Sequence, residues 1–363
     1  MKPSKDSKFF YEAVPKAPPF CQPTWLRPVI SASGEVALAG GLASFDLIDV
    51  VMPSRTGGYV ASRMGCDQLL ALSDDRNLAS AALDKIVAIR PDFAGIQMNR
   101  THLMGILNIT PDSFFDGGVN RGPSRAIAAG KAMWVGGASI IDIGGESTRP
   151  GAVPVSCNQE LARILPPITG LARDKILISV DTRHAAVMKR ATAAGAAIIN
   201  DVSGLKGKGT MAAAVDSGAS VVIMHMKGTP ENMQHEPHYD FAPIEIYEYL
   251  EERVNAAIKA GIPASAIVVD PGFGFGKSVT HNLQIVNWLS LFQGLGVGVL
   301  FGASRKSSIA KLSAGEQPED RLAGSLALAA AAARQGVHII RVHDVPETAQ
   351  ALAVEAALLV ADG

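Results

Sequence analysis

The chain has 363 residues, of which 48% are hydrophobic, and its formal net charge at pH 7 is -1. This length allows one large core or two smaller ones, and the charge balance argues against a general binder of nucleic acid or acidic surfaces. Cys21, Cys66 and Cys157 are odd in number and far apart, so neither a disulfide framework nor a zinc site is expected.

The N-terminal residues Met1 to Asp6 lack the apolar stretch of a signal peptide. No apolar run approaches the roughly 20 residues that a membrane-spanning helix needs. We therefore expect a cytoplasmic protein with no membrane partner and no nucleic-acid partner.

Residues 1–100 are predicted to form an N-terminal extension that is separate from the rest of the chain. The first 28 residues are rich in proline and lysine and predict an extended arm rather than a packed element. Short strands over 36–39 and 45–51 and a helix near 77–90 predict a small α/β appendage, to which no motif assigns a role.

From residue 101 onward, apolar runs of strand length alternate with helical stretches. Most of the runs lack a polar face, as in parallel strands that are covered on both sides. Eight such units in about 260 residues predict a (β/α)8 barrel over 101–363. The predicted strands are 102–109, 139–145, 176–182, 197–204, 220–226, 267–272, 298–304 and 337–344, and the clearest helices are 124–135, 185–194, 242–260, 321–335 and 346–361.

Polar residues recur at the ends of these strands, which meet at one mouth of a barrel. They are Asn108, Asp142, Asp181, Asn200, His225, Asp270, Ser304 and Arg341.

The first strand passes directly into a polar loop that contains Asp112, Phe114 and Asp116. With Asn108 before them, these residues predict metal-binding, anion-binding and ring-stacking groups at one strand end. After the second strand, Arg149 offers a planar fork for a carboxylate or phosphate, although a solvated surface arginine is the alternative.

The third and fourth strands end with Asp181 and Asn200, which suit the edge of a pterin or guanine ring carrying an amino group and a ring N–H. A helix cap or a turn is the alternative role. After the sixth strand, Asp270 faces the mouth, while Phe273 and Phe275 are interpreted as walls of an apolar slot, with core packing as the alternative.

The last two strands end in Arg305 and Lys306, and in Arg341 and His343. These groups and the helix N-termini that follow predict a site for a multiply charged anion such as pyrophosphate. Alternation along the strand places Arg341 and His343 on the same side. A structural histidine and an outward-facing ion pair of Arg305 are the alternatives.

Together these strand ends resemble dihydropteroate synthase over about residues 101–363. The motifs are Asn-Ile-Thr-Pro-Asp-Ser-Phe at 108–114, Gly-Glu-Ser-Thr-Arg-Pro-Gly at 145–151, Val-Asp-Thr at 180–182, Asn-Asp-Val-Ser-Gly at 200–204, Met-His-Met at 224–226, Asp-Pro-Gly-Phe-Gly-Phe-Gly-Lys at 270–277, Ser-Arg-Lys-Ser at 304–307 and Arg-Val-His-Asp at 341–344.

The resemblance implies condensation of 6-hydroxymethyl-7,8-dihydropterin pyrophosphate with p-aminobenzoate, giving 7,8-dihydropteroate and pyrophosphate by a dissociative, Mg²⁺-assisted displacement. It implies the following site residues: Asp181, Asn200, Asp270, Lys306 and Arg341 for the pterin; Thr148, Arg149, Pro150, Phe275 and Ser307 for p-aminobenzoate, with Lys306 also at this pocket; Asn108, Arg341 and His343 for pyrophosphate; Asn108 for Mg²⁺; and Asp112, Phe114, Asp116, Lys306, Arg341 and His343 for catalysis.

The first loop departs from the family's commonest pattern, because Phe115 stands where a small polar residue is more usual. This leaves the response to sulfonamides open. The resemblance also implies a homodimer through the late barrel helices. A pterin-dependent corrinoid methyltransferase, a non-catalytic pterin-binding paralogue and a bifunctional chain remain as alternatives.

Overall fold

The computed structural model describes residues 8–12, 24–109, 121–146, 155–229 and 232–361. Within these ranges the chain forms a five-stranded N-terminal sheet and a closed barrel of eight parallel strands. The prediction of a (β/α)8 barrel with a small N-terminal α/β appendage is confirmed.

The N-terminal sheet has the strand order β1-β5-β4-β2, and β3 pairs with β4. Two helices pack on it and enclose a separate apolar core. The elements are β1 (Phe9–Tyr11), β2 (Trp25–Ser31), β3 (Val36–Ala37), β4 (Ser44–Pro53), β5 (Tyr59–Gly65), α1 (Cys66–Leu72) and α2 (Arg76–Val87).

The prediction that the first 28 residues lack packed elements is wrong where the structure describes them. Trp25 and Leu26 are 6% and 5% exposed and begin β2. Pro28 lies within this strand, and the strand tolerates it because, among the described residues, β2 pairs with β4 alone and has a free edge. Pro28 therefore belongs to an edge strand, whereas Pro15, Pro18, Pro19 and Pro23 lie outside the described residues.

The barrel closes by parallel pairing of its last strand with its first. Its strands are β6 (His102–Asn108), β7 (Ile140–Gly144), β8 (Ile178–Asp181), β9 (Ile198–Asp201), β10 (Ser220–Met224), β11 (Ile267–Asp270), β12 (Gly298–Phe301) and β13 (Ile339–Val342). All eight predicted strands are present, and all of them end earlier than predicted because the residues that follow leave the ladder.

Helices follow the barrel strands along the chain. They are α3 (Arg121–Val135), α4 (Cys157–Arg173), α5 (Ala185–Ala193), α6 (Thr210–Ser217), α7 (Ala242–Ala260), α8 (Val279–Asn287), α9 (Ser307–Leu312), α10 (Leu322–Arg334) and α11 (Val345–Ala361). Helix α4 lies outside the predicted helical stretches because Pro166 and Pro167 interrupt its pattern, although a capping box of Ser156 and Gln159 begins it.

The N-terminal end of the barrel is closed by the segment that leads into β6. Phe93 and Met98 are 1% and 2% exposed and pack on the innermost apolar layer of the barrel, to which Met104 and Ile140 belong. The mouth at the opposite end therefore contains the polar strand ends. No helix in the described part of the chain is long and apolar enough to cross a membrane.

The N-terminal sheet is joined to the barrel by polar and apolar contacts. Arg27 Nη2 donates to the backbone oxygen of Asn287 at 2.8 Å, and Ser290 Oγ donates to the backbone oxygen of Pro28 at 2.7 Å. Trp25 also belongs to the apolar core of the barrel. The two parts are therefore continuous in packing.

Candidate active site

Arg341 lies at the centre of a polar cluster in the barrel mouth. Its Nε donates to Asp142 Oδ2 at 2.6 Å, and its Nη2 donates to Asp181 Oδ2 at 2.9 Å. Asn200 Nδ2 also donates to Asp142 Oδ2, at 3.1 Å. The structure thus brings together three predicted pterin-binding residues that are widely separated in the sequence.

Asp142 is a site residue to which the sequence analysis assigns no role. Its side chain is fully buried, and its Oδ1 has no hydrogen-bond partner among the described residues. Ser179 Oγ, on the neighbouring position of β8, is likewise buried without a partner. The signal in the sequence was a lone carboxylate within the apolar run Ile140–Gly144, because an unpaired charge is costly in such a position.

The electrostatics of the cluster reflect its burial. Burial raises the pKa of Asp181 to about 7, with Arg341 opposing the rise and Asp142 adding to it. Burial alone would lower the pKa of Arg341, but Asp142 and Asp181 outweigh it and the net shift is upward. The guanidinium of Arg341 therefore stays charged, and it interacts with the carboxyl groups of both Asp142 and Asp181.

The glycine-rich loop (residues 271–277) forms a second side of the mouth. Lys306 Nζ donates to the backbone oxygen of Phe273 and lies 4.5 Å from the ring centroid of Phe275. Burial lowers the pKa of Lys306 to about 8, and Asp270 opposes this shift. Burial likewise raises the pKa of Asp270, whose Oδ1 accepts from the backbone N–H of Gly272 at 2.7 Å.

The two phenylalanines of this loop differ in position. Phe275 is half-buried beside Lys306, and its place at the wall of the p-aminobenzoate pocket stays a prediction. Phe273 is 1% exposed, and its ring meets Phe301 edge-on at 5.5 Å. Its prediction as a second wall is therefore wrong, because its ring is directed into the core.

A buried lysine fixes the base of the same loop. Lys277 Nζ lies 2.9 Å from His225 Nδ1 and donates to the backbone oxygen of Phe275 at 2.9 Å. Burial holds the pKa of Lys277 well below its ordinary value and does the same for His225, whose pKa the lysine lowers further. These contacts of Lys277 with His225 and with the backbone of Phe275 hold the loop at its base.

The predicted anion site at the last two strands is assembled only in part. His343 Nδ1 lies 3.0 Å from Ser304 Oγ. Ser307, which the sequence analysis assigns to the p-aminobenzoate pocket, is the exposed first residue of α9. Arg305 pairs with Asp344 through Nε at 3.0 Å, which corresponds to the alternative interpretation of this arginine as an ion pair. Its guanidinium is therefore committed to a carboxylate and is not part of the cluster around Arg341.

Asn108 lies across Gly144 from Asp181. A Cβ placed on Gly144 would be 3.5 Å from Asn108 Oδ1 and 3.7 Å from Asp181 Oδ2, so this glycine leaves the space between them open. The half-buried carboxamide of Asn108 makes no hydrogen bond within the described ranges. The remaining predicted site residues, Asp112, Phe114, Asp116, Thr148, Arg149 and Pro150, lie outside the described residues, as does Phe115.

Comparison with known proteins identifies the family. The model of the family described as "Pterin binding enzyme" matches residues 104–343. The dihydropteroate synthase of Escherichia coli (strain K12) is 45% identical over 265 residues, which cover 73% of this chain and 94% of that protein. The chain belongs to the dihydropteroate synthase family. The predicted activity, a transferase reaction that forms dihydropteroate, is confirmed at this level.

Two further relatives extend this picture. A structure of Xanthomonas albilineans dihydropteroate synthase with 4-aminobenzoic acid has a TM-score of 0.70 and 45% identity, covering 75% of this chain and 98% of that one. A probable bifunctional folylpolyglutamate synthase/dihydropteroate synthase of Haloferax volcanii is 44% identical over 348 residues, covering 90% of this chain and 40% of that protein. The second match extends beyond the barrel into the N-terminal region.

Proposed function

We propose that this member of the dihydropteroate synthase family condenses its substrates by a dissociative displacement in the mouth of the barrel. The observation that carries the proposal is the buried cluster of Asp142, Asp181, Asn200 and Arg341, with Asp270 and Lys306 on the other side of the mouth. Such a set can hold a polar heterocycle and stabilise opposite charges as they separate.

The pterin ring is the ligand that the cluster suits. Its edge carries an amino group and a ring N–H, both donors, and Asp142 Oδ1 is a buried acceptor that needs one. Ser179 is paired with Asp142 across the strands, and its Oγ is also buried without a hydrogen-bond partner among the described residues. Asp181 and Asp270 then provide further carboxylates near the ring, and both have pKa values that burial raises.

The pyrophosphate group is assigned to Asn108, Arg341 and His343. The carboxamide oxygen of Asn108, which has no hydrogen bond within the described ranges, fits Mg²⁺, which takes one or two protein oxygens and completes its shell with phosphate oxygens and water. When bound, Mg²⁺ would supply a charge that neutralises the pyrophosphate oxygens. Asn108 would hold it, while Arg341 donates hydrogen bonds to the phosphate and the cluster carboxylates hold the guanidinium in place.

The p-aminobenzoate ring is assigned to the side of Phe275, with Lys306 and Ser307 beside it. Thr148, Arg149 and Pro150 complete this pocket in the proposal, and Asp112, Phe114 and Asp116 cover the reacting centre. The likeness to the 4-aminobenzoic acid complex from Xanthomonas albilineans supports a ring pocket of this kind.

The chemistry asks the protein mainly for electrostatics. As pyrophosphate leaves the methylene carbon, positive charge develops on the pterin, and the carboxylates of Asp181 and Asp270 stabilise it. The aniline nitrogen then attacks the methylene, and its proton passes to solvent or to a carboxylate. The chain needs no covalent nucleophile for this sequence.

The test is a condensation assay on the purified protein with dihydropterin pyrophosphate, Mg²⁺ and p-aminobenzoate, in which dihydropteroate is quantified. We expect product with the wild-type protein and with Asp216→Asn, whose side chain lies on the exposed face of α6. Lys306→Ala and Arg341→Ala should lose at least about a hundredfold in kcat/KM. Unchanged turnover in these two variants would contradict the site assignment.

The homodimer is also a proposal. Val354 and Leu358 on α11 are 58% and 55% exposed, which supports an interface through the late helices. If the protein is a homodimer, light scattering on the purified protein should give a mass of twice 37.9 kDa. The cytoplasmic location stays a prediction.

A further inference from the structure

The first strand of the N-terminal region packs against the residue that precedes α7. The ring of Phe9 stacks on Phe241 with centroids 4.5 Å apart and meets Trp288 edge-on at 5.0 Å. Lys8 Nζ lies 2.9 Å from Asp240 Oδ1 beside this stack. Phe241 is only 4% exposed, so β1 is firmly attached at this point.

The chain just before Phe241 holds the glycine-rich loop. Tyr239 is 6% exposed, and its hydroxyl donates to the backbone oxygen of Gly276 at 3.0 Å. Gln234 Nε2 donates to the backbone oxygen of Gly274 at 2.7 Å. These two hydrogen bonds fall on either side of Phe275.

Lys227 links the two segments as well. Gly276 has a φ of +62°, and a Cβ at this position would collide with the backbone oxygen of Lys227. Lys227 Nζ in turn donates to the backbone oxygen of His238 and lies 4.3 Å from the ring centroid of Tyr239. Displacement of the segment that contains Tyr239 would therefore move the loop beneath it. Phe275, whose ring lies 4.5 Å from Lys306 Nζ, would move with that loop.

We propose that Phe9 is a positioning residue for the p-aminobenzoate pocket, acting through Phe241, Tyr239 and Gly276 on Phe275. The inference rests on the proposed function, because Phe275 is assigned there to p-aminobenzoate. It gives the N-terminal region a part in substrate binding, in addition to its packing on the barrel.

The first experiment compares Phe9→Ala with Phe10→Ala. Phe10 lies on the same strand, is 60% exposed and makes no ring contact with the described residues. We expect Phe9→Ala to raise the KM for p-aminobenzoate about three- to tenfold, which corresponds to about 0.7 to 1.4 kcal/mol and is typical of coupling through a packed network. The KM for the pterin substrate and kcat should stay near wild type, and Phe9→Tyr should restore the KM.

A purely structural role predicts a different result. Partial unfolding would lower the concentration of active enzyme, and hence the apparent kcat, while the KM of the folded fraction stayed the same. A lower kcat with an unchanged KM for p-aminobenzoate would therefore overturn the proposal, as would equal effects of Phe9→Ala and Phe10→Ala.

Tyr239→Phe is the second variant, because it removes only the hydroxyl that binds Gly276 and keeps the ring. It should raise the KM for p-aminobenzoate by itself, which decides the question if Phe9→Ala does not fold. If both fold, the double variant should show less than the sum of the two single effects on the free-energy scale, because both act on the same contact. Additive effects would contradict the path.

Amide hydrogen exchange separates this inference from the proposed function. In Phe9→Ala the amides of residues 272–277 should exchange faster than in wild type and in Phe10→Ala. If the wild-type protein forms no dihydropteroate, the proposed function fails, but the exchange comparison still decides whether Phe9 holds the loop. Unchanged exchange in Phe9→Ala would overturn the inference.

Discussion

The Nε atom of Arg341 lies 2.6 Å from Asp142 Oδ2, so an arginine of the last barrel strand pairs with a carboxylate of the second. The same oxygen accepts from Asn200. Because both donors converge on Oδ2, the second oxygen of Asp142 remains available to a ligand. The pair therefore orients the guanidinium and presents an acceptor at the same time.

Asp142→Asn tests this double role. A single amide oxygen can still accept from Arg341 and Asn200, but the amide NH2 then replaces Oδ1 and meets the donors of the pterin. We expect the KM for the pterin substrate to rise about a hundredfold, since a buried mismatch of this kind costs about 3 kcal/mol. Steady-state kinetics measure it, with Asp216→Asn as the control. A normal pterin KM would show that Oδ1 receives no donor from the substrate.

Because the pKa of Lys306 is lowered, we expect the activity to decline at alkaline pH. Burial lowers the pKa of its ammonium to about 8, with Asp270 opposing the shift, so the charge is present below this pH and is lost above it. If the charged form binds substrate, kcat/KM for the pterin substrate should fall as the pH rises through about 8.

The same pH profile on Lys306→Met should be lower by about a hundredfold and lack the alkaline limb. Lys311→Met, an exposed lysine on α9, should keep the wild-type profile. An alkaline limb that persists unchanged in Lys306→Met would assign the titration to another group.

Asp49 anchors the N-terminal sheet. Its fully buried carboxylate accepts from Tyr11 Oη at 2.7 Å, from Arg27 Nη1 at 2.8 Å and from Arg63 Nε at 2.8 Å. Asp49→Ala leaves two arginines without their shared partner and should lower the free energy of unfolding by about 3 to 5 kcal/mol.

Chemical denaturation measures this change, with Asp84→Ala on the exposed side of α2 as the control. Arg27 also bonds to the barrel at Asn287, so loss of Asp49 should loosen that junction too. A loss under about 1 kcal/mol would indicate that the arginines find other partners or water.

The sequence predicted the fold well because each barrel strand is an apolar run that ends in a polar residue. Period-two alternation also predicted that Arg341 and His343 share a side, and both lie at the mouth. The pairing of Asp142 with Arg341 could not be predicted, because it depends on the closure of the barrel between residues 199 positions apart.

Other errors have local causes. In the sequence, Phe273 and Phe275 are each flanked by two glycines. In the structure, the backbone turns at Gly272 and Gly274, which have φ of +68° and +83°, direct only Phe273 into the core. Arg305 itself has a φ of +59°. In this conformation its side chain pairs with Asp344 and does not join the cluster around Arg341. Backbone turns of this kind leave no periodic pattern to interpret.

Because the pKa of Glu160 is raised, we expect the free energy of unfolding to depend on pH. It is fully buried on α4, and neither carboxylate oxygen makes a hydrogen bond of ordinary geometry with the described residues. Burial raises its pKa from 4.5 to about 7; Thr182 opposes the rise and Glu146 adds to it. Because the folded state holds the proton more tightly, this contribution to stability is complete below about pH 4.5 and is lost as the pH rises to about 7.

Glu160→Gln removes this titration. Relative to wild type, the variant should gain about 3 kcal/mol in the free energy of unfolding between pH 4.5 and pH 8, at about 1.4 kcal/mol per pKa unit. Urea denaturation at a series of pH values measures the difference, and Glu252→Gln on the exposed face of α7 should show none. The comparison with wild type cancels the contributions of Asp181 and Asp270, whose pKa values burial also raises. A difference that does not change with pH would mean that Glu160 is ionised in the folded protein and has a partner that the described residues do not provide.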